Sequence, residues 1–264
     1  MHSLARKALA VALMTSFAMA AHAGPFNYTP DAAGEKAFLK AFHVEEASKV
    51  SYEDTEGKSV SFAEFLDAIN ASHSVGSFKN TKDGSVVMKA MKPRTPEEMK
   101  ADLAKWDAAH KVRPGEALPD FKLTALDGTA YDKARLNGRY TVLSFFFAAC
   151  APCIAEVPSL NKFKELHPEL NVAALTFDDR KTAQRFQDKY KLSWPTLIET
   201  KPFNETLGIN SFPSMVLLDP QGRVLGYKQF GKTPTEDESA GRAENAELAA
   251  WVRELVAKSG SKGG

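Results

Sequence analysis

The pattern of apolar and polar residues changes character near residue 113 of this chain. Beyond that position, almost wholly apolar runs at 140–147 and 172–177 alternate with segments whose apolar residues recur at helical spacing. Apolar runs of this kind are typical of strands that are buried on both faces of a sheet. We therefore predict an α/β domain over residues 113–258, with a largely parallel sheet covered on both faces by helices.

The limits of the elements in this domain follow from apolar spacing, helix caps and turn residues. Strands are predicted at 121–126, 140–147, 172–177, 214–218 and 224–228. Helices are predicted from the end of the second strand to about His167, at 181–190 and at 243–257. The remaining residues, 259–264, are expected to form a flexible tail.

Residues 24–112 have a mixed pattern that predicts a smaller N-terminal α+β unit of unknown role. Its helices are predicted at 31–43, 61–70 and 95–110, and its strands at 49–52 and 85–91. The third helix begins with Thr95 as N-cap and Pro96 in the first turn, a combination that is common at helix starts. The unit contains no motif from which its function follows.

The first 23 residues have the three parts of a secretory signal peptide. Arg6 and Lys7 give a charged start, residues 8–20 are apolar apart from Thr15 and Ser16, and Ala21-His22-Ala23 provides small residues at a cleavage site. The apolar run is too short to span a bilayer, which needs roughly 20 residues. We expect cleavage after Ala23 and a mature protein that is exported to the periplasm without stable membrane insertion.

The charge of the chain is balanced and does not indicate a partner. Its 34 basic and 33 acidic residues give a formal net charge of +1. A nucleic-acid-binding protein usually has a basic patch or stripe, and a membrane-surface protein a polybasic segment. We therefore expect no nucleic-acid partner and no electrostatic membrane contact.

The chain has two cysteines, and both lie in the run Cys150-Ala151-Pro152-Cys153. A disulfide between them would close a loop too short to stabilise the fold strongly. The pair follows a predicted buried strand and starts a predicted helix, whose N-terminus favours a thiolate, the nucleophile in disulfide exchange. A zinc site needs four ligands, and there is no second pair of this kind. We therefore predict redox chemistry, with no metal and no cofactor.

The order of motifs around this pair resembles the TlpA/ResA-like branch of thioredoxin-fold reductases. The resemblance covers about residues 113–257 and depends on the following segments: the run Gly115-Glu116-Ala117-Leu118-Pro119-Asp120-Phe121-Lys122-Leu123, Asp127-Gly128, the cysteine motif, Glu156-Val157-Pro158, and Ser211-Phe212-Pro213-Ser214. It implies a thioredoxin fold, in which a central mixed sheet is flanked by helices, with the N-terminal α+β unit as an extension.

The resemblance also implies roles for individual residues. Cys150 would be the attacking thiolate, Cys153 the resolving thiol, and Glu156 the acidic residue that tunes their protonation. Pro213 would follow a cis peptide bond and lie against the disulfide. Pro195 is a competing cis candidate, because cis bonds are essentially confined to proline.

Other positions of the motifs would contact the substrate or shape the helix. Phe212 would offer backbone groups to a bound partner, and Pro152 and Ala151 lie between the cysteines among the substrate-binding positions. Pro158 would kink the helix that follows the cysteines, because proline removes a helix hydrogen bond.

Two positions depart from the pattern of the family. Ala149 stands where many relatives have Trp before the first cysteine, and Ser144 stands where thioredoxin has a buried acid. These departures lead us to expect a more exposed and differently tuned cysteine pair with a narrower range of partners.

The function that these observations favour is a thiol–disulfide oxidoreductase that reduces disulfides of exported proteins. In the family this often means apocytochrome cysteines, as in cytochrome c maturation, or metal-site cysteines, with electrons from a membrane thiol reductase. A thiol peroxidase is disfavoured, because Phe147 stands where that reaction wants Thr. The alternative is a copper-binding or metal-site assembly module that uses the same cysteines. The direction of electron flow depends on the redox potential of the pair and stays open at this point.

Overall fold

The computed structural model describes residues 26–42, 44–79, 83–229 and 236–260, which divide into two units. One unit comprises the described residues up to Lys40 together with Val44–Pro93, and the other comprises Arg94–Gly264 with Ala41–His43. The expected signal peptide, residues 1–23, and the last four residues lie outside the described part of the chain.

The first unit is a four-stranded sheet with two helices. Its elements are α1 Ala32–Ala41, β1 Val50–Glu53, β2 Ser59–Val60, α2 Phe62–Ser72, β3 Val75–Lys79 and β4 Val86–Ala90. The strand order is β2-β1-β4-β3, and β1 and β4 are parallel while the other pairs are antiparallel. This arrangement confirms an N-terminal extension that mixes helices and strands.

Helix α2 illustrates how the sequence forms and places an element of this unit. Ser61 and Glu64 form a capping box, in which each side chain accepts a backbone N–H of the other, and this satisfies helix donors that would otherwise be unpaired. Phe65 and Ile69, one turn apart, are completely buried. The ring of Phe65 packs at 5.6 Å against that of Phe38 from α1, so the apolar faces of the two helices share one core.

The sequence patterns did not predict strands β2 and β3. Strand β2 has only two residues, and β3 contains Gly76, a residue type that weakens a strand interior. Strand β3 forms because it pairs along its whole length with β4, from Val75 opposite Ala90 to Lys79 opposite Val86. Pairing with a distant segment therefore overrides a weak local preference.

The second unit contains the remaining elements. They are α3 Pro96–Ala109, β5 Leu123–Ala125, β6 Ala130–Tyr131, α4 Lys133–Leu136, β7 Thr141–Phe146, α5 Ala151–Leu166, β8 Asn171–Thr176, α6 Arg180–Tyr190, β9 Thr196–Ile198, α7 Lys201–Leu207, β10 Ser214–Leu218, β11 Val224–Lys228, α8 Glu236–Ser239 and α9 Ala246–Gly260. None of the helices in the described residues has the length and apolarity needed to cross a membrane.

The sheet of the second unit is mixed, with the strand order β11-β10-β7-β8-β9-β5-β6. Only the pairs β7/β8 and β8/β9 are parallel, and the other four pairs are antiparallel. The largely parallel sheet predicted from the alternation of strands and helices is therefore wrong. Tight turns join β5 to β6 and β10 to β11, and such short connections permit only antiparallel pairing. The thioredoxin fold with its mixed central sheet is confirmed.

Strand β7 lies inside this sheet, and all six of its residues are buried. Val142 and Phe146 belong to one apolar cluster with residues of α5, α6 and α9, while Leu143 and Phe145 belong to a second cluster that includes residues of α7. Successive side chains of a strand point to opposite faces. The continuous apolar run of β7 therefore builds the cores on both sides of the sheet.

Helix α9 extends further than the sequence predicts. Ser259 and Gly260, assigned to the flexible tail, are its last residues. The Ser259 hydroxyl donates to the carbonyl of Val256 at 2.8 Å and lies 2.9 Å from the Tyr140 hydroxyl. The contact with Tyr140 holds the end of the helix against the domain.

Helix α3, which the sequence pattern grouped with the N-terminal unit, belongs by its contacts to the second unit. None of its residues is buried, but His110 directly after it is buried. The His110 ring stacks on Tyr227 with centroids 3.7 Å apart and meets the edge of Trp106 at 4.4 Å. This aromatic stack connects the end of α3 to strand β11.

His110 predicts a loss of stability in acid. Burial lowers the pKa of its imidazole, and Arg113 lowers it further against the opposing effect of Asp107. The unfolded chain therefore binds a proton near pH 6.5 that the folded chain resists. The contribution of neutral His110 is complete above about pH 6.5 and declines as the pH falls, by at most about 1.4 kcal/mol per pH unit.

The variant His110→Phe keeps an aromatic ring for the stack but cannot bind a proton. We expect urea unfolding to show a smaller loss of stability for this variant than for the unmodified protein between about pH 7 and about pH 5. His73→Asn, which replaces the exposed residue after α2, is the control. Equal pH dependence of the unmodified protein and His110→Phe would contradict the prediction.

Candidate active site

Cys150 lies between the end of strand β7 and the first turn of helix α5. Its backbone N–H donates to the carbonyl of Phe147 at 3.0 Å, which closes the turn that leads from the strand to the helix. Cys150 is the N-cap of α5, and its Sγ accepts the backbone N–H of Cys153 at 3.2 Å. A helix N-terminus favours negative charge. The position therefore suits a sulfur that becomes a thiolate.

Cys150 and Cys153 form a disulfide, with their Cα atoms 5.2 Å apart. Cys150 is 3% and Cys153 is 4% exposed, and both belong to the apolar cluster beneath α5. The expectation of a more exposed pair is therefore wrong. Although Ala149 replaces the Trp of many relatives, Phe147 and Phe212 pack against the same cluster and supply apolar cover.

The loop before strand β10 reaches the same end of the sheet as the cysteines. The peptide bond between Phe212 and Pro213 is cis, and none of the other peptide bonds in the described residues, including that before Pro195, is cis. Ser214 pairs with Phe145 of β7, so the cis-proline loop lies beside the end of the strand that leads to Cys150.

Three phenylalanine rings pack together at the cis-proline loop, and one of them, Phe212, belongs to the loop. The Phe147 ring lies 5.6 Å from that of Phe212 and 5.7 Å from that of Phe177, and Phe177 and Phe212 are 5.5 Å apart. Phe177 is 39% exposed and therefore one of the few large apolar side chains at the surface of the described residues. The three rings come from three separate loops and form one apolar surface.

Asp178 holds the loop before Cys150 in place. One of its carboxylate oxygens, Oδ2, accepts the backbone N–H of Ala148 at 2.7 Å and the hydroxyl of Thr176 at 2.6 Å. Thr176 is completely buried at the end of β8. Hydrogen bonds to a charged acceptor are stronger than neutral ones, so Asp178 joins the end of β8 to the turn that carries Cys150.

Glu156 lies on α5 one turn beyond Cys153 and is 5% exposed. Both residues line a narrow cavity with Ser144 and Phe146 of β7. The Oε2 atom of Glu156 is buried without a hydrogen-bond partner. Burial, and to a smaller extent the negative charge of Glu247, raises the pKa of Glu156 to about 8. Its carboxyl group is therefore mostly protonated at neutral pH, in the cavity that Cys153 also lines.

The structure brings together most of the residues that the sequence singled out. Cys150, Cys153 and Glu156 share one helix, and the Phe212-Pro213 loop adjoins the turn before that helix. Pro152 lies in the first helical turn and is exposed, and Pro158 lies within the helix. Ala151 is the first residue of α5, but its side chain is not among those described.

Three neighbours of the site were not predicted from the sequence: Phe177, Asp178 and Glu247. An acidic residue directly after a buried strand was the available signal for Asp178, since such residues can cap the next turn. Glu247 gave no signal, because an acid near the start of a helix is ordinary. Its relation to Glu156 depends on how α9 packs against α5.

The arrangement provides the parts that dithiol–disulfide exchange needs. These parts are a cysteine at a helix N-terminus, a second cysteine bonded to it, and a carboxyl group that can hold a proton. Within the described ranges, three or more His, Cys, Asp or Glu side chains do not come together as a metal-binding cluster.

Comparison with known proteins places the same part of the chain in one group. A family model described as Redoxin matches residues 113–244, half of the chain. The thioredoxin-like protein YneN of Bacillus subtilis is 31% identical over 118 residues, 43% of this chain and 69% of the relative. The thiol-disulfide oxidoreductase ResA of Halalkalibacterium halodurans is 32% identical over 128 residues, 46% of this chain and 72% of the relative.

One solved structure is similar to this chain over a comparable share of its length. The thioredoxin domain of a thiol-disulfide oxidoreductase from Bacteroides vulgatus has a TM-score of 0.41 and 22% sequence identity, covering 46% of this chain and 91% of that one. The family match includes both cysteines and the cis-proline, and it excludes the N-terminal unit.

Glu156 is expected to reduce stability as the pH rises. The pKa of a glutamate carboxyl is ordinarily 4.5, whereas the pKa of Glu156 in the folded protein is about 8. The folded protein is therefore favoured by the neutral carboxyl below about pH 4.5, and this advantage is lost as the pH rises towards 8, at about 1.4 kcal/mol per pH unit. Glu156→Gln removes the titration and should make the protein more stable than the unmodified form at about pH 8.

Chemical unfolding at a series of pH values tests this expectation. Glu165→Gln is the matched control, because Glu165 lies on the same helix with 66% of its side chain exposed. The prediction fails if Glu156→Gln and Glu165→Gln change the pH dependence equally.

Proposed function

The chain belongs to the Redoxin family, among the TlpA/ResA-like thiol–disulfide oxidoreductases of thioredoxin fold, and we propose that it reduces disulfides of exported proteins in the periplasm. The observation that carries the proposal is the position of Cys150. Its sulfur caps helix α5, accepts the N–H of Cys153 at 3.2 Å, and is bonded to Cys153 next to the cis-proline loop. A thiolate formed there is stabilised by the helix N-terminus.

The proposed reaction starts from the dithiol form of the protein. The Cys150 thiolate attacks one sulfur of a client disulfide, so that a Cys150–client bond forms, the client disulfide breaks, and the departing client sulfur takes a proton. Cys153 then loses its proton and attacks the Cys150 sulfur, which re-forms the protein disulfide and releases the second client thiol. Two electrons pass from the protein to the client.

Return to the dithiol form requires an external reductant of the dithiol class. We propose a membrane thiol reductase as this electron donor. Its thiolate opens the Cys150–Cys153 bond by the same exchange, and the protonated carboxyl of Glu156, beside Cys153, can supply a proton to the sulfur that is released. When the protein reduces a client, the ionised carboxylate of Glu156 can accept the proton that Cys153 gives up.

The residues around the disulfide give the proposed client site its character. Phe212 and Pro213 lie beside the turn that carries Cys150, and Pro152 is exposed between the two cysteines. We propose that an extended client segment lies along the Phe212 backbone and contacts Pro152 and Ala151. Phe177, which is partly exposed, offers this client segment a further apolar contact.

Export is part of the proposal and is supported by the N-terminal sequence. The charged start, the short apolar run and the small residues at Ala21 and Ala23 are typical of a cleaved signal peptide. Exported proteins with cysteine pairs are the proposed clients, and apocytochrome or metal-site cysteines are the class we favour from the family resemblance. The alternative function is a copper-binding or metal-site assembly module that uses the same cysteines. Titration of the free thiols with and without copper distinguishes it from the proposed reductase.

A trapping experiment tests the assignment of the two cysteines. In Cys153→Ser, the Cys150 thiolate can form the mixed disulfide, but the second step is blocked because the resolving thiol is absent. We expect the reduced variant to retain a peptide that contains a cysteine pair as a covalent adduct, detected by mass spectrometry. Cys150→Ser is the control and should retain none. Stronger capture by Cys150→Ser than by Cys153→Ser would reverse the two roles.

The redox potential tests the proposed direction of electron flow. A reductase should have a potential near that of thioredoxin, about −270 mV, whereas an oxidase should be near about −120 mV. Equilibration of the protein with glutathione or dithiothreitol buffers, followed by thiol counting, measures this quantity. A value near that of the oxidase would overturn the proposed direction but keep the exchange chemistry.

A further inference from the structure

The turn from strand β7 to helix α5 fixes the position of Cys150 with few contacts of its own. One backbone hydrogen bond, from the N–H of Cys150 to the carbonyl of Phe147 at 3.0 Å, closes the turn. Ala148 and Ala149, between these two residues, have only a methyl group as side chain, and Ala149 is exposed. The middle of the turn therefore depends on contacts from outside it.

Asp178 supplies such a contact from the segment that follows strand β8. Its Oδ2 accepts the backbone N–H of Ala148 at 2.7 Å, two residues before Cys150. A hydrogen bond to a carboxylate is about twice as strong as one between neutral groups. The bond therefore ties the middle of the turn to the neighbouring strand of the sheet.

The carboxylate of Asp178 is itself held in a fixed position. The Thr176 hydroxyl donates to the same Oδ2 at 2.6 Å and accepts the backbone N–H of Asp178 at 3.1 Å. Thr176 is completely buried. The carbonyl of Asp178 accepts the N–H of Glu199, directly after β9, at 3.1 Å. Both the side chain and the backbone of Asp178 are thus anchored before a client arrives, as a preorganised site requires.

The same hydrogen bond joins the two backbone segments that carry stacked aromatic rings. Phe147 precedes Ala148 and Phe177 precedes Asp178, and the two rings have centroids 5.7 Å apart and planes 21° apart. The ring contact and the hydrogen bond lie on adjacent residues of both segments. They therefore reinforce each other, and both restrain the turn that leads to Cys150.

The reactivity of Cys150 depends on where this turn places its sulfur. The sulfur accepts the N–H of Cys153 at 3.2 Å at the start of α5, where a thiolate is stabilised. We propose that Asp178 is the positioning residue of the reactive cysteine. Through the N–H of Ala148 it keeps the Cys150 sulfur at the helix N-terminus, and so it raises the rate of attack on a client disulfide. This inference deepens the proposed function and rests on it.

The step on which Asp178 acts is the capture of the client. The Cys150 thiolate attacks one sulfur of the client disulfide, the Cys150–client bond forms as the client S–S bond breaks, and the departing thiolate takes a proton from solvent. Asp178 neither gives nor takes a proton in this step. Its effect is confined to the position of the nucleophile, which distinguishes it from a general base.

Two uncharged variants isolate the hydrogen bond. Asp178→Ala removes the acceptor, whereas Asp178→Asn keeps an oxygen that can accept the N–H of Ala148, and both remove the same negative charge. We expect Asp178→Ala to capture a disulfide peptide about tenfold more slowly than Asp178→Asn at about pH 7, because misplacement of a reacting group lowers its rate steeply. Stopped-flow mixing of the reduced variants with a fluorescent disulfide peptide measures this rate.

The pH dependence of capture supplies a readout that a general loss of stability does not move. The midpoint of the rate–pH profile reports formation of the Cys150 thiolate. It should lie at a higher pH in Asp178→Ala than in Asp178→Asn, because a displaced sulfur is stabilised less by the helix N-terminus. Asp179→Ala is the control. It removes the carboxylate that caps α6, and it should lower stability but change neither the rate nor the midpoint.

The outcomes separate this inference from the proposed function. Slower capture with a higher midpoint in Asp178→Ala supports the inference, whereas equal rates and midpoints in folded Asp178→Ala and Asp178→Asn would overturn it. If Asp178→Ala does not fold, Thr176→Val decides, because it removes the other hydrogen bond to Oδ2. Slower capture by Thr176→Val than by Thr182→Val, a matched change on α6, supports the inference, and equal capture overturns it. Failure of the unmodified protein to capture the peptide would instead contradict the proposed function.

Discussion

Strand β7 is hydrogen-bonded on both edges, antiparallel to β10 and parallel to β8, and its side chains are buried on both faces of the sheet. Full burial of a large apolar side chain such as Phe145 stabilises a fold by about 1.5–3 kcal/mol, so this strand has little freedom to shift. Cys150 lies four residues beyond the end of β7. The cis-proline loop leads into β10, the strand that pairs with β7 on one edge. The position of the disulfide is therefore a consequence of where the central strand stops.

The same burial creates the electrostatic contrast of the site. Cys150 lies at the start of a helix, where backbone N–H groups point at its sulfur and favour a negative charge. Glu156, one helical turn beyond Cys153, lies in an apolar cavity where a negative charge is disfavoured. A thiolate at Cys150 and a neutral carboxylic acid at Glu156 can thus coexist at neutral pH. The fold keeps a buried acid that costs stability, as functional sites commonly do.

Asp178 and the three phenylalanines show how the loops around the disulfide are held without a tryptophan before Cys150. Asp178 accepts the N–H of Ala148 and so fixes the turn that Phe147 begins. The rings of Phe147, Phe177 and Phe212 pack against one another, which limits how far the three loops can separate. Cys150 and Cys153 are almost completely buried, and Phe147 and Phe212 pack against the apolar cluster that contains them. Access to the disulfide therefore depends on how these loops pack.

Much of this protein could be predicted from the sequence because its signals are local. The apolar run of β7 and the C-x-x-C spacing need no knowledge of distant contacts, and the Phe212-Pro213 motif identified the cis bond. The relative directions of the strands could not be predicted in this way. The alternation of strands and helices favoured a parallel sheet, but the short turns at 126–129 and 219–222 impose antiparallel pairing.

The remaining features depend on packing between segments far apart in the chain. Val75–Lys79 is a strand only because β4 pairs with it, and His110 is buried only because Tyr227 stacks on it. Glu156 resembles any helix acid in the sequence, and its raised pKa comes from the apolar cavity and from Glu247, 91 positions further along the chain. The sequence by itself determined which sulfur chemistry is present, whereas the tertiary structure decided its proton chemistry, because desolvation and charge interactions depend on distance in space.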